Sequence, residues 1–502
     1  MQVVILIEPT VRLIAFTPKP FDTAVASART CYSPRVVMPE EITEKQRESI
    51  GKSIWEAGHH TPFQHAAFTF SIENVSRQFV WSFLHSHPYY NSDQNSQRYV
   101  PLKEVNAFIP NLSDMPRKTY VDAVNLAWDA YRRLTEELKQ EFSQLTESIG
   151  KVKGLNEKQI NADAEKKAIE TARYVLPVAA LTSLYHTISG VTLMRYARMM
   201  NACDCPNEAR IVVGKMMAEV GKIDPAFTSY LQIKPLPRKE EESTFNESFN
   251  AEFDAALGEY SSKLVSFNQN GEEIVADGVR EALGKTKAEM SDDEAIDLAI
   301  NPARNELLLD TINCWQHSPV MRALNLVSYS FKKKLSHTAD SQNQRHRTTP
   351  ASRPLLTRVH TKKPDCVLPK AILSNSDLKK EFNSAADALW EAKNKLIDEG
   401  VPAEYAIYLL PNATALRFTE TGRFIDLMHK WRMRTCFNAQ EEIYRLSMDE
   451  LTQVSSVHPR LTRFVGPPCF FRRGFFDRPC PEGPRWCGIE VWRNFPKVIR
   501  PF

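Results

Sequence analysis

The sequence predicts an α+β fold in which one type of domain occurs twice, each copy a sheet packed against long helices. Three observations support this prediction. Short runs such as VRLIAF (11–16) and AAFTFSI (66–72) are apolar or alternate with the period of a β-strand. The segments 120–150, 187–220 and 420–452 combine helical periodicity with good helix formers. Finally, the second half of the chain repeats the first.

The repeat consists of three blocks in the same order. GHHTPFQHAAFTFSIENVSRQF (58–79) is echoed weakly by WQHSPVMRALNLVSYSFKKKL (315–335), FLHSH (83–87) by KLSH (334–337), and ARYVLPVAALTSLYHTISGVTLMRYARMMNACDCPNEARIVV (172–213) by AIYLLPNATALRFTETGRFIDLMHKWRMRTCFNAQEEIYRLS (406–447). Pro177 and Glu208 correspond to Pro411 and Glu442 without a gap. Three ordered matches indicate a duplicated domain.

The length of the chain predicts more than one domain. A chain of 502 residues is too long for one ordinary core, so two or more domains are expected. We predict a first domain at 1–235, an acidic linker at 236–262 that passes into a helix, a second domain at 263–455, and a tail rich in Pro and aromatic residues at 456–502. An insertion at 147–172 consists mostly of strong helix formers.

Composition narrows the class of protein. Apolar content of 42% and charged content of 25% are typical of soluble globular proteins, and a net charge of +3 gives no global basic field for nucleic acid. The apolar N-terminus lacks a basic start and a cleavage site, so it is predicted as a first strand, and no stretch is long enough to span a bilayer. Nine scattered cysteines favour reduced thiols. We expect a cytoplasmic protein without membrane or nucleic-acid partners.

Three segments carry the residues of chemical interest. QNQRHR (342–347) crowds two guanidiniums and an imidazole, which favours an anionic or electron-rich ligand, although a solvated basic loop is the alternative. HSHPYYNSDQNSQRYVPL (85–102) precedes ARYVLP in the first half. LMHKWRMRTCFNAQEEIYR (427–445) lies late in the second half.

Together with GHHTPFQH, these segments resemble the flavin-dependent thymidylate synthases. That family's signature is Arg-His-Arg, two residues, Ser, one residue, Asn-Glu, one residue, Ser, one residue, Arg-Tyr. The resemblance covers about 10–220 and 305–455. It implies transfer of a methylene from methylenetetrahydrofolate to C5 of dUMP, with FAD carrying hydride from NADPH. It also implies a homotetramer whose active sites draw residues from neighbouring subunits.

The resemblance distributes the family's residues between the two halves in a complementary way. The first half keeps Ser-x-Arg, but its triplet has become Ser86-His87-Pro88, or His85-Ser86-His87 with a shift of one residue, and Met200 replaces the arginine of the late helix. The second half keeps the triplet and the late-helix Arg434, but it has lost Ser-x-Arg, and Ile407 replaces the arginine before YLLP. Two copies that each discard a different half of one shared site would show this pattern.

The resemblance therefore implies one composite site. Its dUMP-binding residues would be Ser96, Gln97, Arg98, Arg173, Gln342, Arg345 and Arg434, and its FAD-binding residues His59, Gln94, Arg345, His346, Arg347 and His429. Arg345 and Arg434 would be catalytic, with Arg434 polarising the uracil carbonyl. A homodimer of this chain would mimic the family's tetramer. The sequence leaves open whether the site forms within one chain or between chains.

Several departures keep other interpretations open. Asp93-Gln94 replaces the family's Asn-Glu, and Ser336-His337 is a rival alignment for the triplet. A related flavoenzyme acting on another nucleotide, or a degenerate nucleotide-binding protein without activity, are the alternative functions. No metal site is predicted. The CDC segment (203–205) is interpreted as structural, and the tail cysteines Cys469, Cys480 and Cys487 contain no Cys-x-x-Cys pair.

Overall fold

The computed structural model describes residues 8–238 and 247–501, and it confirms the mixed α+β architecture. Its strands are β1 (Thr10–Phe16), β2 (Ala67–Ser76), β3 (Asn91–Gln94), β4 (Leu181–Ser189), β5 (Ser262–Phe267), β6 (Ser328–Ser336) and β7 (Ala415–Arg423). They form an antiparallel sheet in the order β1-β2-β4-β3 and a second in the order β5-β6-β7. The predicted strands at 11–16 and 66–72 are β1 and β2.

Helices surround both sheets. Those of the first half and the linker are α1 (Pro20–Thr30), α2 (Glu44–Glu56), α3 (Arg77–His85), α4 (Asp114–Lys153), α5 (Glu157–Ala172), α6 (Gly190–Met199), α7 (Pro206–Ile223), α8 (Ala226–Ser229) and α9 (Glu247–Leu257). Those of the second half and tail are α10 (Gly271–Leu283), α11 (Asp292–Ile300), α12 (His337–Asn343), α13 (Leu356–Val359), α14 (Lys370–Leu373), α15 (Ser376–Asp398), α16 (Ala403–Ala406), α17 (Phe424–Arg434), α18 (Glu441–Val457), α19 (Pro459–Thr462) and α20 (Pro468–Gly474).

The predicted helices are confirmed with shifted boundaries. The segment 120–150 lies inside α4, whose 40 residues span about 60 Å. The segments 187–220 and 420–452 each contain two helices separated by a loop, α6 and α7 in the first and α17 and α18 in the second, and their first residues belong to β4 and β7. The insertion at 147–172 is helical, as predicted. Helix α9 is the helix into which the predicted linker passes, and residues 239–246 of that linker lie outside the described residues.

The two halves are joined by their matching Tyr-x-Leu-Pro segments, which pair antiparallel with each other. The Val178 N–H donates to the Leu410 carbonyl at 2.8 Å, and the Asn412 N–H donates to the Leu176 carbonyl at 2.8 Å. Pro177 faces Pro411 across this pairing. The apolar side chains on either side share a core that draws on both halves. The halves therefore form one body with an approximate two-fold relation.

The tail packs on the loop that follows α17. Its buried Cys469 and Val491 form a hydrophobic cluster with Phe437, and the Arg500 Nη2 donates to the Ala439 carbonyl at 2.7 Å. The tail thus supports a loop that, as shown below, reaches the candidate site.

Candidate functional site

Two buried glutamates fix the starts of the short helices that follow β2 and β6. The Ser336 N–H and Oγ both donate to the Glu442 carboxylate at 2.6 Å, and the Tyr174 hydroxyl of the other half donates to the same carboxylate at 2.7 Å. The first half repeats this arrangement with Ser76, Glu208 and Tyr408. The correspondence of Glu208 with Glu442 is therefore confirmed in three dimensions.

These capped helices settle the alignment of the triplet. Ser76 and Ser336 occupy the same place at the ends of paired strands, opposite Leu181 and Ala415. Counting from these caps, Arg345-His346-Arg347 corresponds to 85–87, which is the His-Ser-His alternative. The rival Ser336-His337 alignment is excluded, because these residues start α12.

The second half contributes a guanidinium held by neutral groups. The Arg434 Nε donates to the His346 Nε2 at 3.0 Å, and its Nη2 donates to the Gln342 carbonyl at 3.3 Å. The His346 Nε2 is thus an acceptor, and burial together with the nearby Arg434 holds the pKa of His346 well below its ordinary value. His346 is therefore neutral. The Gln342 Nε2 in turn donates to the Gln440 Oε1 at 2.8 Å.

The first half contributes Arg98, which reaches across to the second. The Arg98 Nε donates to the Glu170 Oε1 at 2.6 Å, and its Nη2 donates to the Asn438 carbonyl at 2.8 Å. The Ser96 Oγ accepts from the Arg98 N–H at 3.2 Å and so shapes the turn. Arg173 is buried beside them and donates from Nε to the Glu170 carbonyl at 3.1 Å.

Arginines of the two halves lie near one another within one chain. The Arg345 Nη2 donates to the Asp93 Oδ1 at 2.8 Å, which joins the triplet loop to β3. Burial, and then the positive charges of Arg98 and Arg345, lower the pKa of Arg434 to about 10. Arg347 lies over the Tyr90 ring at 5.3 Å, again across the halves. The structure therefore brings the two complementary sets of residues together without a second chain.

We call the residues around Arg98, Arg173, Gln342, Arg345 and Arg434 the cluster. Several of its buried polar atoms make no hydrogen bond. The buried Gln97 Nε2, Arg173 Nη2 and Gln342 Oε1 make no hydrogen bond within the described structure. Among the ion pairs of the described residues, none involves Arg434. Buried polar groups are normally satisfied, and guanidiniums bind oxyanions strongly. The arrangement therefore suits an anionic ligand with further polar groups.

One wall beside the triplet carries imidazole and indole rings. The His429 ring lies edge-on to the His346 ring and to the Trp315 ring, with centroids 5.9 Å apart in both cases. Burial, and then Arg432 and Arg434, lower the pKa of His429. Trp315 belongs to the second-half copy of the GHHTPFQH loop, and sequence reasoning missed it because that repeat block is weak.

Gln94 and His59, the two remaining predicted residues, lie at different distances from the cluster. The Gln94 Oε1 accepts from the Arg77 Nη1 at 3.4 Å, next to the Asp93 that holds Arg345. His59 is exposed in the turn after α2, where its N–H donates to the Ile54 carbonyl at 2.8 Å. Within the described residues His59 thus stays apart from the cluster, while Gln94 borders it.

A buried charge network lies behind the triplet loop. The Lys333 Nζ bridges the carboxylates of Glu420 at 2.7 Å and Glu450 at 2.6 Å, and Lys430 donates to Glu420 as well. The Asn343 Nδ2 donates to Glu420 at 2.6 Å, which ties the end of α12 to the network. Burial alone would raise the pKa of Glu420, but Lys333 and Lys430 hold it well below its ordinary value.

The cysteines form no disulfide and no metal site in the described residues. All nine thiols are free, and three tail cysteines line a small cavity with Cys436. Within residues 8–238 and 247–501, no three His, Cys, Asp or Glu side chains are arranged to hold a metal ion. No helix in the same ranges is long and apolar enough to cross a membrane.

Two curated proteins and one solved structure are similar to parts of this chain. The flavin-dependent thymidylate synthase of Clostridium tetani is 31% identical over 225 residues, which are 44% of this chain and 85% of that protein. The enzyme of the same name from Nitratidesulfovibrio vulgaris is 30% identical over 239 residues, covering 45% of this chain and 88% of its own. A solved structure of the UMP/dUMP methylase PolB from Streptomyces cacaoi matches 45% of this chain and 95% of that one, with 18% identity and a TM-score of 0.32.

The family described as "Thymidylate synthase complementing protein" matches residues 12–226 and again residues 263–460. These two segments include all the residues of the cluster, and both sheets except for the first residues of β1 and β5. The chain therefore belongs to the thymidylate synthase complementing protein family, and it carries the family's domain twice.

Proposed function

We propose that this chain is a flavin-dependent thymidylate synthase that methylates dUMP reductively, using methylenetetrahydrofolate and NADPH, at one site made by both halves. The observation that carries the proposal is that Arg98 of the first half donates to the Asn438 carbonyl, four residues after Arg434, while His346 and Gln342 of the second half hold Arg434. Among the described residues Arg434 has no acidic partner. The names of the family's relatives support the choice of reaction.

The first half would bind the nucleotide phosphate. Ser96 and Arg98 lie on one turn, and Arg173 offers a buried Nη2 without a partner. Charge-assisted hydrogen bonds from guanidiniums to phosphate are among the strongest in proteins. Glu170 keeps Arg98 and Arg173 close together before the phosphate arrives.

Arg434 would act on the uracil ring. Its guanidinium is held by the neutral His346 and by the Gln342 carbonyl, so its charge is not cancelled by a carboxylate. A preorganised cation of this kind stabilises negative charge on a carbonyl oxygen as it develops. Gln342 has a buried Oε1 free for a donor on the ligand.

The residues present also fit FAD. Arg345 and Arg347 project from the triplet loop with His346 and His429 behind them, a wall that suits the phosphates and the reduced, anionic ring of a flavin. When bound, FAD supplies the hydride that it receives from NADPH. Gln94 would border this cofactor. His59 is exposed, so it would contact a cofactor only in the other chain of a homodimer that mimics the family's tetramer.

We propose the domain boundaries on the same grounds: 1–235 and 263–455 as domains, 236–262 as linker and 456–502 as tail. The linker and tail fall almost entirely outside the family matches. Helix α9, within the linker, packs beside β6 through the ion pair of Asp254 with Lys334.

Tritium release from C5-labelled dUMP tests the function. Release by the purified chain should depend on NADPH, FAD and methylenetetrahydrofolate. The Arg434→Gln variant should lose about 10²–10³ in kcat, whereas Arg322→Gln, at an exposed arginine of the second half, should match wild type. A folded, flavin-loaded chain that releases no tritium would contradict the proposal. Thermal stabilisation by another pyrimidine nucleotide in preference to dUMP would then favour the related flavoenzyme.

A further inference from the structure

The approximate two-fold relation creates a second position with the same surroundings as the candidate site. The candidate site takes the turn 96–98 from the first half and the loop 342–347 from the second. The reciprocal position takes the turn 355–357 and the segment 82–87. Equivalent hydrogen bonds show that 355–357 is the counterpart of 96–98. The Tyr99 N–H donates to the Ser96 carbonyl, and the Arg358 N–H donates to the Leu355 carbonyl.

A protein carboxylate occupies the turn of this reciprocal position. The Leu356 N–H donates to the Asp204 Oδ2 at 2.8 Å, and the Thr357 N–H and Oγ1 donate to the Asp204 Oδ1 at 3.1 and 3.0 Å. The Gln78 Nε2 donates to the same carboxylate at 2.6 Å. Leu356 and Thr357 are the counterparts of Gln97 and Arg98. Asp204 is the counterpart of Asn438, which offers Arg98 only a carbonyl.

An indole and an ion pair fill the adjoining space. Trp81 is fully buried and donates from Nε1 to the Asp340 Oδ2 at 2.8 Å. Arg353 donates to both oxygens of Asp340, at 2.6 and 3.0 Å, and is itself buried. In the candidate site the counterpart of Trp81 is Ser341, a much smaller residue.

The cations of the candidate site have no counterparts here. His85 stands in the place of Arg345, and burial, followed by the charge of Arg353, lowers its pKa to about 3, so it is neutral at physiological pH. Met200 and Thr357 stand in the places of Arg434 and Arg98. The one buried guanidinium described above, that of Arg353, is neutralised by Asp340.

We propose that the reciprocal position is permanently closed and that the chain binds one nucleotide, not two. Asp204 and Trp81 are the residues that close it. A second nucleotide phosphate would have to displace a buried carboxylate from four hydrogen bonds. It would find Thr357, His85 and Met200 where the candidate site has Arg98, Arg345 and Arg434. This inference rests on the proposed function for the identity of the ligand, but the closure itself rests on the contacts of Asp204, Trp81 and Arg353.

Equilibrium dialysis of labelled dUMP against the full chain tests the stoichiometry. Saturation should occur at one nucleotide per chain. Arg98→Gln should weaken this binding at least about thirtyfold. The matched change at the closed position, Asp204→Asn, should lower the melting temperature and leave both the affinity and the stoichiometry unchanged. Two nucleotides per chain, or loss of binding in Asp204→Asn with an unchanged melting temperature, would overturn the proposal.

Hydrogen exchange decides the closure even if dUMP does not bind. In the free protein the amides of Leu356 and Thr357 should exchange slowly, because they are bonded to Asp204, and Asp204→Asn should accelerate them. The amide of Gln97, the counterpart of Leu356, should exchange faster in the free chain and become protected when a nucleotide is added. Rapid exchange at Leu356 and Thr357 in the wild-type chain would refute closure. Absence of dUMP binding with slow exchange there would count against the proposed function alone.

Discussion

Arg98 and Arg345 belong to different halves but lie together in one chain, so variants that lack one or the other should not complement each other. Each arginine is expected to contact an anionic ligand, and loss of one such partner costs about 2–5 kcal/mol. That cost corresponds to at least about a thirtyfold loss of binding. Arg98→Gln and Arg345→Gln should therefore each be nearly inactive in the tritium-release assay.

Heterodimers separate the two possible geometries. Each variant is expressed with a different affinity tag, and dimers that carry both tags are isolated. If the site lies within one chain, both sites of an Arg98→Gln/Arg345→Gln heterodimer are broken, and activity stays near that of the single variants. If the site lies between chains, one site is intact, and activity reaches about half of wild type.

The reciprocal control pairs a wild-type chain with a chain that carries both substitutions. The structure predicts about half of wild-type activity for this heterodimer, because the wild-type chain keeps a whole site. A site between chains predicts almost none. Activity in the first heterodimer together with inactivity in the second would refute the placement of the site within one chain.

Three further predictions concern the supports of the site. Glu442→Gln and Glu208→Gln should each lower the free energy of unfolding by about 1–3 kcal/mol in urea denaturation. Only Glu442→Gln should also weaken dUMP binding, because Glu442 holds the start of α12, the helix that leads to the triplet loop. Burial raises the pKa of Glu208 to about 7, so between about pH 4.5 and 7 the folded chain binds a proton that the unfolded chain releases. Stability should fall with rising pH there, by at most about 1.4 kcal/mol per pH unit, and a stability–pH curve for Glu208→Gln that keeps this slope would contradict the assignment. Lys430→Met should cost about 3–5 kcal/mol by leaving Glu420 underpaired, and adding Glu420→Gln should recover part of that loss in the same denaturation assay.

The fold class and the duplication could be predicted from the sequence. Repeat spacing is set by strands and helices that must bury the same faces, so Glu208 and Glu442 could be paired from sequence alone. Arg98, Arg345 and Arg434 could be assigned by their order within recognisable segments, and their roles in a site stay a prediction. Their meeting in one chain could not be predicted, since it depends on the pairing of 174–178 with 408–412.

Sequence reasoning failed where long-range contacts give a residue its role. Glu170 lies in a segment interpreted only as a helical insertion, although its carboxylate holds Arg98. Asp204 was seen only as the middle of CDC, and Trp81 carried no motif at all. Their partners, Leu356 and Asp340, are more than a hundred residues away, so no local pattern could identify them.

The buried residues behind the triplet loop in the second half differ in kind from their counterparts in the first half, which has no cationic triplet. In the second half Asn343, Glu420 and Lys430 form a charged network behind the triplet loop. The counterparts of these residues in the first half are Phe83, His186 and Tyr196, whose rings lie within contact distance of one another, with Phe83 4.3 Å from Tyr196 between centroids. A buried network of charges is stable only when all its members are present, whereas a cluster of neutral rings needs no counter-charges. Once the first half had no cationic loop to support, neutral rings could replace the network, and a return of the triplet alone to that half would leave new charges without partners. The asymmetry of the two interiors thus makes the division of the site between the halves difficult to reverse.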